Sequence, residues 1–512
     1  MRGLEELLGL FVAAVILAAA ARRLGAPYPV FLALGGAVLA FLPIAPDLTF
    51  PPELALALFV APVLLDAAYD ASIRDLKENW APVASLVLAA VVLTTAAVAA
   101  VVRMLVPEMP WAPAIALGAV VAPPDAVAAT AVLRQLRPPH RLLTILEGES
   151  LLNDASALLI YRLAVGAVAA NGFSVGDVAP AFLLAIAGSV IVGPALGWLL
   201  LRLFRRVRHV PTAIILQFVT TYGVWLLAEH IGLSAVLTTV CYAATVAQTS
   251  PATTPARMRI PTYAVWETVV FALNILAFIF IGLQIGPIIE SLEPDDQSRY
   301  FMVAGAVLVT VIVVRLAWHM SFNAAVRWRH RRFGFHPPRP MLRPTVGSGL
   351  VISWSGMRGI VSLAAAMALP PDFPYRNLIV LTAFAVVLGT LVIQGMTLKP
   401  LLRRLNLDDD DLVGREVRAA REAALSAGLA SLANNSSPAA ETVREELRSQ
   451  LSGADAATRR QRDQHDELRS TALQAARGAA LAMRSSSEIG DDAFHRIEEE
   501  LDWLEMAGAN RE

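Results

Sequence analysis

Up to about residue 400 the chain alternates long apolar runs with short polar breaks. A helix of about 20 apolar residues crosses the hydrocarbon core of a bilayer. Runs of this kind lie near 4–21, 28–45, 53–72, 81–105, 112–134, 143–170, 178–203, 211–229, 233–249, 264–288, 301–325, 346–370 and 377–398, which predicts 13 transmembrane helices. Past Lys399 the pattern turns soluble, with helices expected near 412–433, 440–452, 455–485 and 490–506 and a turn over 434–438. In the last of these, Phe494, Ile497, Leu501 and Leu504 recur at helical spacing. The expected organisation is all-α: a polytopic membrane domain over 1–400 and a helical tail over 401–512, either a regulatory module or a solvated appendage.

Loop charges set an orientation, because cytoplasmic loops are enriched in Lys and Arg. Loops after odd-numbered spans carry Arg22 and Arg23; Arg74 and Lys77; Arg134, Arg137 and Arg141; Arg202, Arg205, Arg206 and Arg208; Arg257 and Arg259; and a cluster from Arg327 to Arg343. Loops after even-numbered spans carry only Arg103, Arg299 and Arg376. One missed or invented span would destroy this alternation. It places the N-terminus outside and the tail in the cytoplasm of a cell membrane. The first run, with Glu5 and Glu6 and no small-residue cleavage site, reads as a transmembrane helix and not as a signal peptide.

Composition sharpens the picture. Hydrophobic residues make up 56% of the 512 and charged residues 17%, against about 25% charged in an ordinary soluble domain. The net charge of −1 hides a split, since residues 400–512 hold 15 Arg against 22 Asp and Glu. An acidic tail argues against nucleic-acid binding, which requires a basic surface. The run of four aspartates at 408–411 reads as an acidic linker, because a Ca²⁺ loop needs spaced ligands and a glycine. One cysteine, Cys241, allows neither a disulfide within the chain nor a cysteine metal cluster. With no GxxxxGK[ST] loop and no HExxH, the expectation is a transporter that is not an enzyme and uses no cofactor.

Two spans should be broken. Pro123 and Pro124 sit in mid-span before Asp125, and proline both removes an N–H and clashes with the preceding turn. The segment 345–363 packs four glycines and four serines around Arg358. Irregular backbone at that depth is tolerated where it is buried in protein or lines a wet cavity. Interrupted helices in both halves of a chain point to a midplane site in transporters built from inverted repeats; close packing of a glycine-rich helix is the alternative for 345–363.

The intramembrane charges carry the candidate chemistry, since a carboxylate at the bilayer centre costs roughly 2.5 kcal/mol or more. On the sixth span Glu149 and Asn153 are four residues apart, as are Ser150 and Asp154, so each pair shares a face. Asp154 and Ser150 supply oxygen atoms of the type that hard monovalent cations take; a structural polar network is the other reading. Arg315 is deep enough to need a buried partner, and Glu149 is the natural one. Asp66 is a secondary ligand or an end-of-helix charge, Glu147 suits an interfacial salt bridge, and Arg162 snorkels near the end of its span. His140, His319, His330 and His336 are expected to be solvated or interfacial.

The strings APPDAVAATAV (122–132), EGESLLNDA (147–155) and GMRGIVSLA (356–364), in this order, resemble the sodium/proton exchanger family in its NhaP-type bacterial branch. The resemblance implies a 13-helix fold with a dimerisation domain and a core carrying two crossed, unwound helices, acting as a homodimer. It makes Asp154 the cation and proton site, with Ser150 as ligand and Asp125 beside the unwound segment. Asn153 takes the first place of an Asn-Asp pair, which in this family goes with electroneutral exchange. Glu149 and Arg315 match a family salt bridge, and Arg358 matches the arginine at the second crossing. Two departures stand out: Asp66 falls where many members have glutamate, and Pro124 where others have threonine. The expected function is 1:1 exchange of a monovalent cation, Na⁺ first, for H⁺. K⁺/H⁺ exchange through the same residues is the alternative, with Li⁺ as a comparison ion, and a cation channel or a membrane sensor stands behind both.

Overall fold

The computed structural model describes residues 2–24, 26–42, 51–133, 138–169, 175–204, 206–292, 294, 297–334, 343–405, 407, 411–451, 456–486 and 491–509. Arg134, Arg137, Arg205, His336, Arg339 and aspartates 408–410 lie outside these residues. Every regular element among the described residues is a helix. The chain divides into two compact units, Met1–Asp410 and Asp411–Glu512. The division falls beyond position 400 because the last apolar helix runs through Pro400 to Leu405, with Leu398 and Leu402 buried.

The first unit opens with α1 (Arg2–Leu24), α2 (Tyr28–Leu39) and α3 (Pro52–Asp70). Short helices α4 (Ile73–Glu78) and α5 (Trp80–Ala84) lead through a π-helical turn (Ser85–Ala90) into α6 (Val91–Leu105). Next come α7 (Trp111–Val121), α8 (Ala126–Leu133) and α9 (His140–Ala169). Then follow α10 (Val175–Phe204), α11 (Val210–His230), α12 (Ala235–Thr253), α13 (Ala256–Leu283), α14 (Ile285–Glu290) and α15 (Gln297–Phe333). The unit closes with α16 (Val346–Trp354), α17 (Ile360–Met367) and α18 (Arg376–Leu405). The second unit holds α19 (Leu412–Ser431), α20 (Pro438–Leu451), α21 (Ala456–Ser485) and α22 (Asp491–Ala509). Among the described residues seven helical stretches are long and apolar enough to cross a membrane, and α2 and α7 are shorter apolar helices.

Two local features differ from the hydropathy reading, and a third refines it. The 81–105 run is one continuous helical stretch, Trp80–Leu105, with a π turn at Ser85–Ala90 in which the Val87 carbonyl accepts from the Ser156 hydroxyl of α9 at 2.8 Å. Such turns accommodate a carbonyl drawn out of the helical ladder. The arginines at 327, 329, 331 and 332, expected in a loop, form the last turns of α15. Arginine favours helix, and positive charge suits the negative end of the helix dipole. His319 is not interfacial: it is buried in the body of α15, on the face that also buries Arg315 and Asn323.

Two apolar clusters organise the first unit. The larger joins α2, α6–α8, α13 and α15–α18, and α9 enters it through Ile145, Leu146 and Tyr161. The smaller joins α3, α11 and α12, and α9 enters it through Leu151 and Ala155. Thus α9 is shared between the clusters, and Asp154 lies on its turn facing the smaller one. The α2–α13 crossing is held at backbone contact. A Cβ at Gly36 would overlap the Ile279 carbonyl, and one at Gly282 would overlap the Ala33 carbonyl. Small residues permit such approach between membrane helices. Replacing Gly282 by Leu forces the two backbones apart, and overpacking of this kind destabilises by about 1–3 kcal/mol. Thermal unfolding of the detergent-purified protein should show Gly282→Leu melting below wild type; an unchanged midpoint would contradict this packing.

Candidate functional site

The site is built where two interrupted helices meet. Helical backbone stops after Val121, and Pro123 and Pro124 bar its continuation until α8 starts at Ala126. It stops again after Trp354 and resumes at Ile360. The two breaks are bonded to each other: the Asp125 amide donates to the Met357 carbonyl at 2.6 Å.

Each break strands carbonyls at a helix C-terminus, and a buried arginine answers each one. Arg358 donates through Nε to the Val121 carbonyl at 3.0 Å and through Nη2 to the Ala122 carbonyl at 3.1 Å, and also bonds the Gly356 carbonyl. Its own amide donates to Thr390 Oγ1 at 3.0 Å. Arg315 donates through Nε to the Ser353 carbonyl and through Nη2 to the Ile352 carbonyl, both at 3.1 Å, at the end of α16. The same guanidinium grips Glu149 with two bonds of 2.5 and 2.7 Å. Bidentate geometry of this kind is the strong form of the carboxylate pair. Positive charge therefore sits on both negative helix ends.

At the opposite polarity, Asp125 Oδ1 accepts from the Val127 amide at 2.8 Å and caps the start of α8. Its carboxylate also lies against Gly359, the residue before α17: a Cβ there would overlap Asp125 Oδ2. Only glycine leaves room for that approach. Asp125 thus sits at the positive ends of two helices.

On α9, Asn153 is fully buried and donates through Nδ2 to the Pro124 carbonyl at 2.9 Å, while its Oδ1 has no hydrogen-bond partner among the described residues. Asp154 is 8% exposed and, among the described residues, makes no hydrogen bond or ion pair. The charge it feels is that of Asp125. Ser150, half-buried, lies one turn earlier on its face. Asp66 is half-buried near the end of α3, where Leu64 and Ala68 pack in the same cluster as Leu151 and Ala155. Arg162 reaches Glu229 at 3.3 Å on the exposed surface. His140 Nε2 lies 2.9 Å from Asp75 Oδ2 at the start of α9.

Sequence reasoning missed Thr390, which bonds the Arg358 amide and donates to the Val386 carbonyl at 2.8 Å. Its one signal was a hydroxyl inside an apolar run. It also missed the capping work of both arginines, which depends on where the breaks face.

Because Arg315 serves Glu149 and two carbonyls, its loss should exceed the loss of Glu149. Breaking a buried ion pair by removing one partner destabilises by about 3–5 kcal/mol. Arg315→Met should lower the melting temperature of the purified protein more than Glu149→Gln. Equal effects or the reverse order would count against the capping role.

A family profile described as "Sodium/hydrogen exchanger, transmembrane" matches residues 10–404. An uncharacterised Na⁺/H⁺ exchanger of Mycobacterium tuberculosis is 30% identical over 98% of this chain and 96% of its own length. A sodium, potassium, lithium and rubidium/H⁺ antiporter of Bacillus subtilis is 32% identical over 68% of this chain and 53% of its own length. The solved sodium proton antiporter MjNhaP1 of Methanocaldococcus jannaschii superposes with a TM-score of 0.63 at 17% identity, covering 79% of this chain and 98% of that one. With a family match across the helices that build the site, this chain belongs to the sodium/hydrogen exchanger family.

Proposed function

We propose that this chain exchanges a monovalent cation, Na⁺ first, for H⁺ at Asp154. The observation that carries the reading is the distribution of partners among the buried charges. Glu149 and Arg315 neutralise each other, Arg358 is bonded to carbonyls, and the Asp125 carboxylate accepts from the Val127 amide. Asp154 has no partner from the described protein and lies within the field of a second carboxylate. An uncompensated carboxylate in such surroundings is untenable, so a proton or a cation must accompany it. One group that takes either guest, never both, couples the two gradients.

Ser150 and the orphaned Asn153 Oδ1 supply neutral oxygen donors on the same helix, and hard cations take oxygen ligands. Asp125 adds a second carboxylate, and Asp66 is an outer ligand from α3. Pro124 contributes its carbonyl through Asn153 and not a side chain. Because Asn153 carries no charge, one cation replaces one proton and the exchange is electroneutral.

The transport cycle on this reading is alternating access. Thirteen spans form two inverted repeats, with α7–α8 and α16–α17 as the crossed pair. A core around the breaks moves against a dimerisation domain, with the N-terminus outside and the 401–512 tail in the cytoplasm as a regulatory module. The protein works as a homodimer in the cell membrane and serves pH homeostasis. K⁺ remains a second reading because the Bacillus subtilis relative is named for several alkali cations.

Proteoliposomes with a trapped pH dye test this directly. Na⁺ should drive dequenching with no net current, and Asp154→Asn should abolish it. Comparing Na⁺, K⁺ and Li⁺ ranks the ions. Full activity in Asp154→Asn would sink the site, and a voltage-dependent rate would sink the stoichiometry.

A further inference from the structure

A cavity of about 390 Å³ lies apart from Asp154. It is reached by going the other way along α9: Ile145, one turn before Glu149, lines it, as does His319, one turn after Arg315. Ile352, whose carbonyl accepts from Arg315, lines it too. Neither Asp125 nor Asp154 does. The volume falls in the range of small-molecule sites, roughly 300–1,000 Å³.

The lining has a definite charge. Among the described residues it includes the guanidiniums of Arg141 and Arg343 and no carboxylate. Arg141 is oriented by its Nε, which donates to Asn79 Oδ1 at 2.9 Å. Arg343 is exposed. Thr345 and Ser348 bring the N-terminus of α16 to the wall. The Ser348 amide donates to Thr345 Oγ1 in a capping box, so it is the positive end of the helix dipole that favours an anion here. His319 is only 3% exposed, yet among the described residues its Nδ1 has no hydrogen-bond partner. A buried polar atom left so calls for a partner that the described residues do not supply. The rest of the wall is apolar, with Leu142, Ile145 and Leu407.

We propose that this cavity binds an amphipathic phosphate ester. The anion sits between Arg141, Arg343 and the first turn of α16, and the apolar body lies along Leu142, Ile145 and Leu407. Planar guanidiniums match phosphate oxygens in pairs. Two sources supply this chemistry: an anionic phospholipid of the bilayer, or a soluble phosphate. The apolar wall favours the lipid. Such a ligand bridges α9, α15 and α16 one turn from the Arg315–Glu149 pair, and so buttresses the first half of the second broken helix.

Thermal unfolding of the full-length protein in dodecyl maltoside, titrated with dioctanoyl phosphatidylglycerol, dioctanoyl phosphatidylcholine or inorganic phosphate, tests this. Phosphatidylglycerol should raise the melting temperature saturably and phosphatidylcholine should not. Arg343→Glu, an exposed change outside any helix, should weaken the phosphatidylglycerol response, read against its own ligand-free midpoint, roughly tenfold or more, as loss of a charge-assisted contact would. Arg206→Glu, an exposed control on a different segment, should leave it unchanged. A saturable rise with inorganic phosphate alone, lost in Arg343→Glu, upholds the anion site and assigns a soluble source. No saturable response to either phosphate compound, or equal weakening by Arg343→Glu and Arg206→Glu, overturns the proposal.

Discussion

A helix that stops in the middle of a bilayer leaves carbonyls on one side of the gap and amides on the other, with no water to bond them. In hydrocarbon each unsatisfied group costs several kcal/mol. Two interrupted helices lie in this chain, and the two breaks are bonded to each other. Met357 in the second break accepts the Asp125 amide of the first. Arg358 of the second break reaches back to the carbonyls at the end of α7. Arg315 does the same for α16 from outside both breaks, anchored on Glu149. Without these bonds the carbonyls and amides freed at the gaps would be left unsatisfied.

This constraint also decides which charges are left for chemistry. Arginine at a helix C-terminus and aspartate at a helix N-terminus both satisfy the dipoles of the broken elements. Glu149, one turn along α9 from Asn153, is held by Arg315. The next acid on the same helix, Asp154, has no such holder among the described residues. Two acids five residues apart on one helix thus differ in kind: one is held in an ion pair, and the other has no partner among the described residues. The proposed antiport is the functional consequence of that asymmetry.

Much of this was legible in the chain. The Pro123–Pro124 pair announces a break because proline cannot donate, and Arg315 and Glu149 are drawn together because neither tolerates burial alone. The helices of the tail follow from apolar spacing and turn residues. What was not legible depends on the direction a side chain takes across a gap. Arg358 stands in a glycine-rich string that names no partner, and its bonds to Val121 and Ala122 exist only once the two breaks are juxtaposed. Thr390 looks like any hydroxyl that bonds its own helix. His319 was misplaced because its neighbours in sequence are Trp318 and Met320, near an arginine-rich end, while its face of α15 is the buried one. The π turn at Ser85–Ala90 has no hydropathy signature, and the hydroxyl that meets its Val87 carbonyl, Ser156, lies on another helix.

The central claim is that a proton and a cation exclude each other at Asp154. Calorimetric titration of the purified protein with Na⁺, repeated in buffers of different ionisation enthalpy, measures the protons released per ion bound. The account predicts a release close to one proton per Na⁺ at a pH where the site is protonated, and no Na⁺ binding in Asp154→Asn. Saturable Na⁺ binding with no proton released at any pH would contradict it.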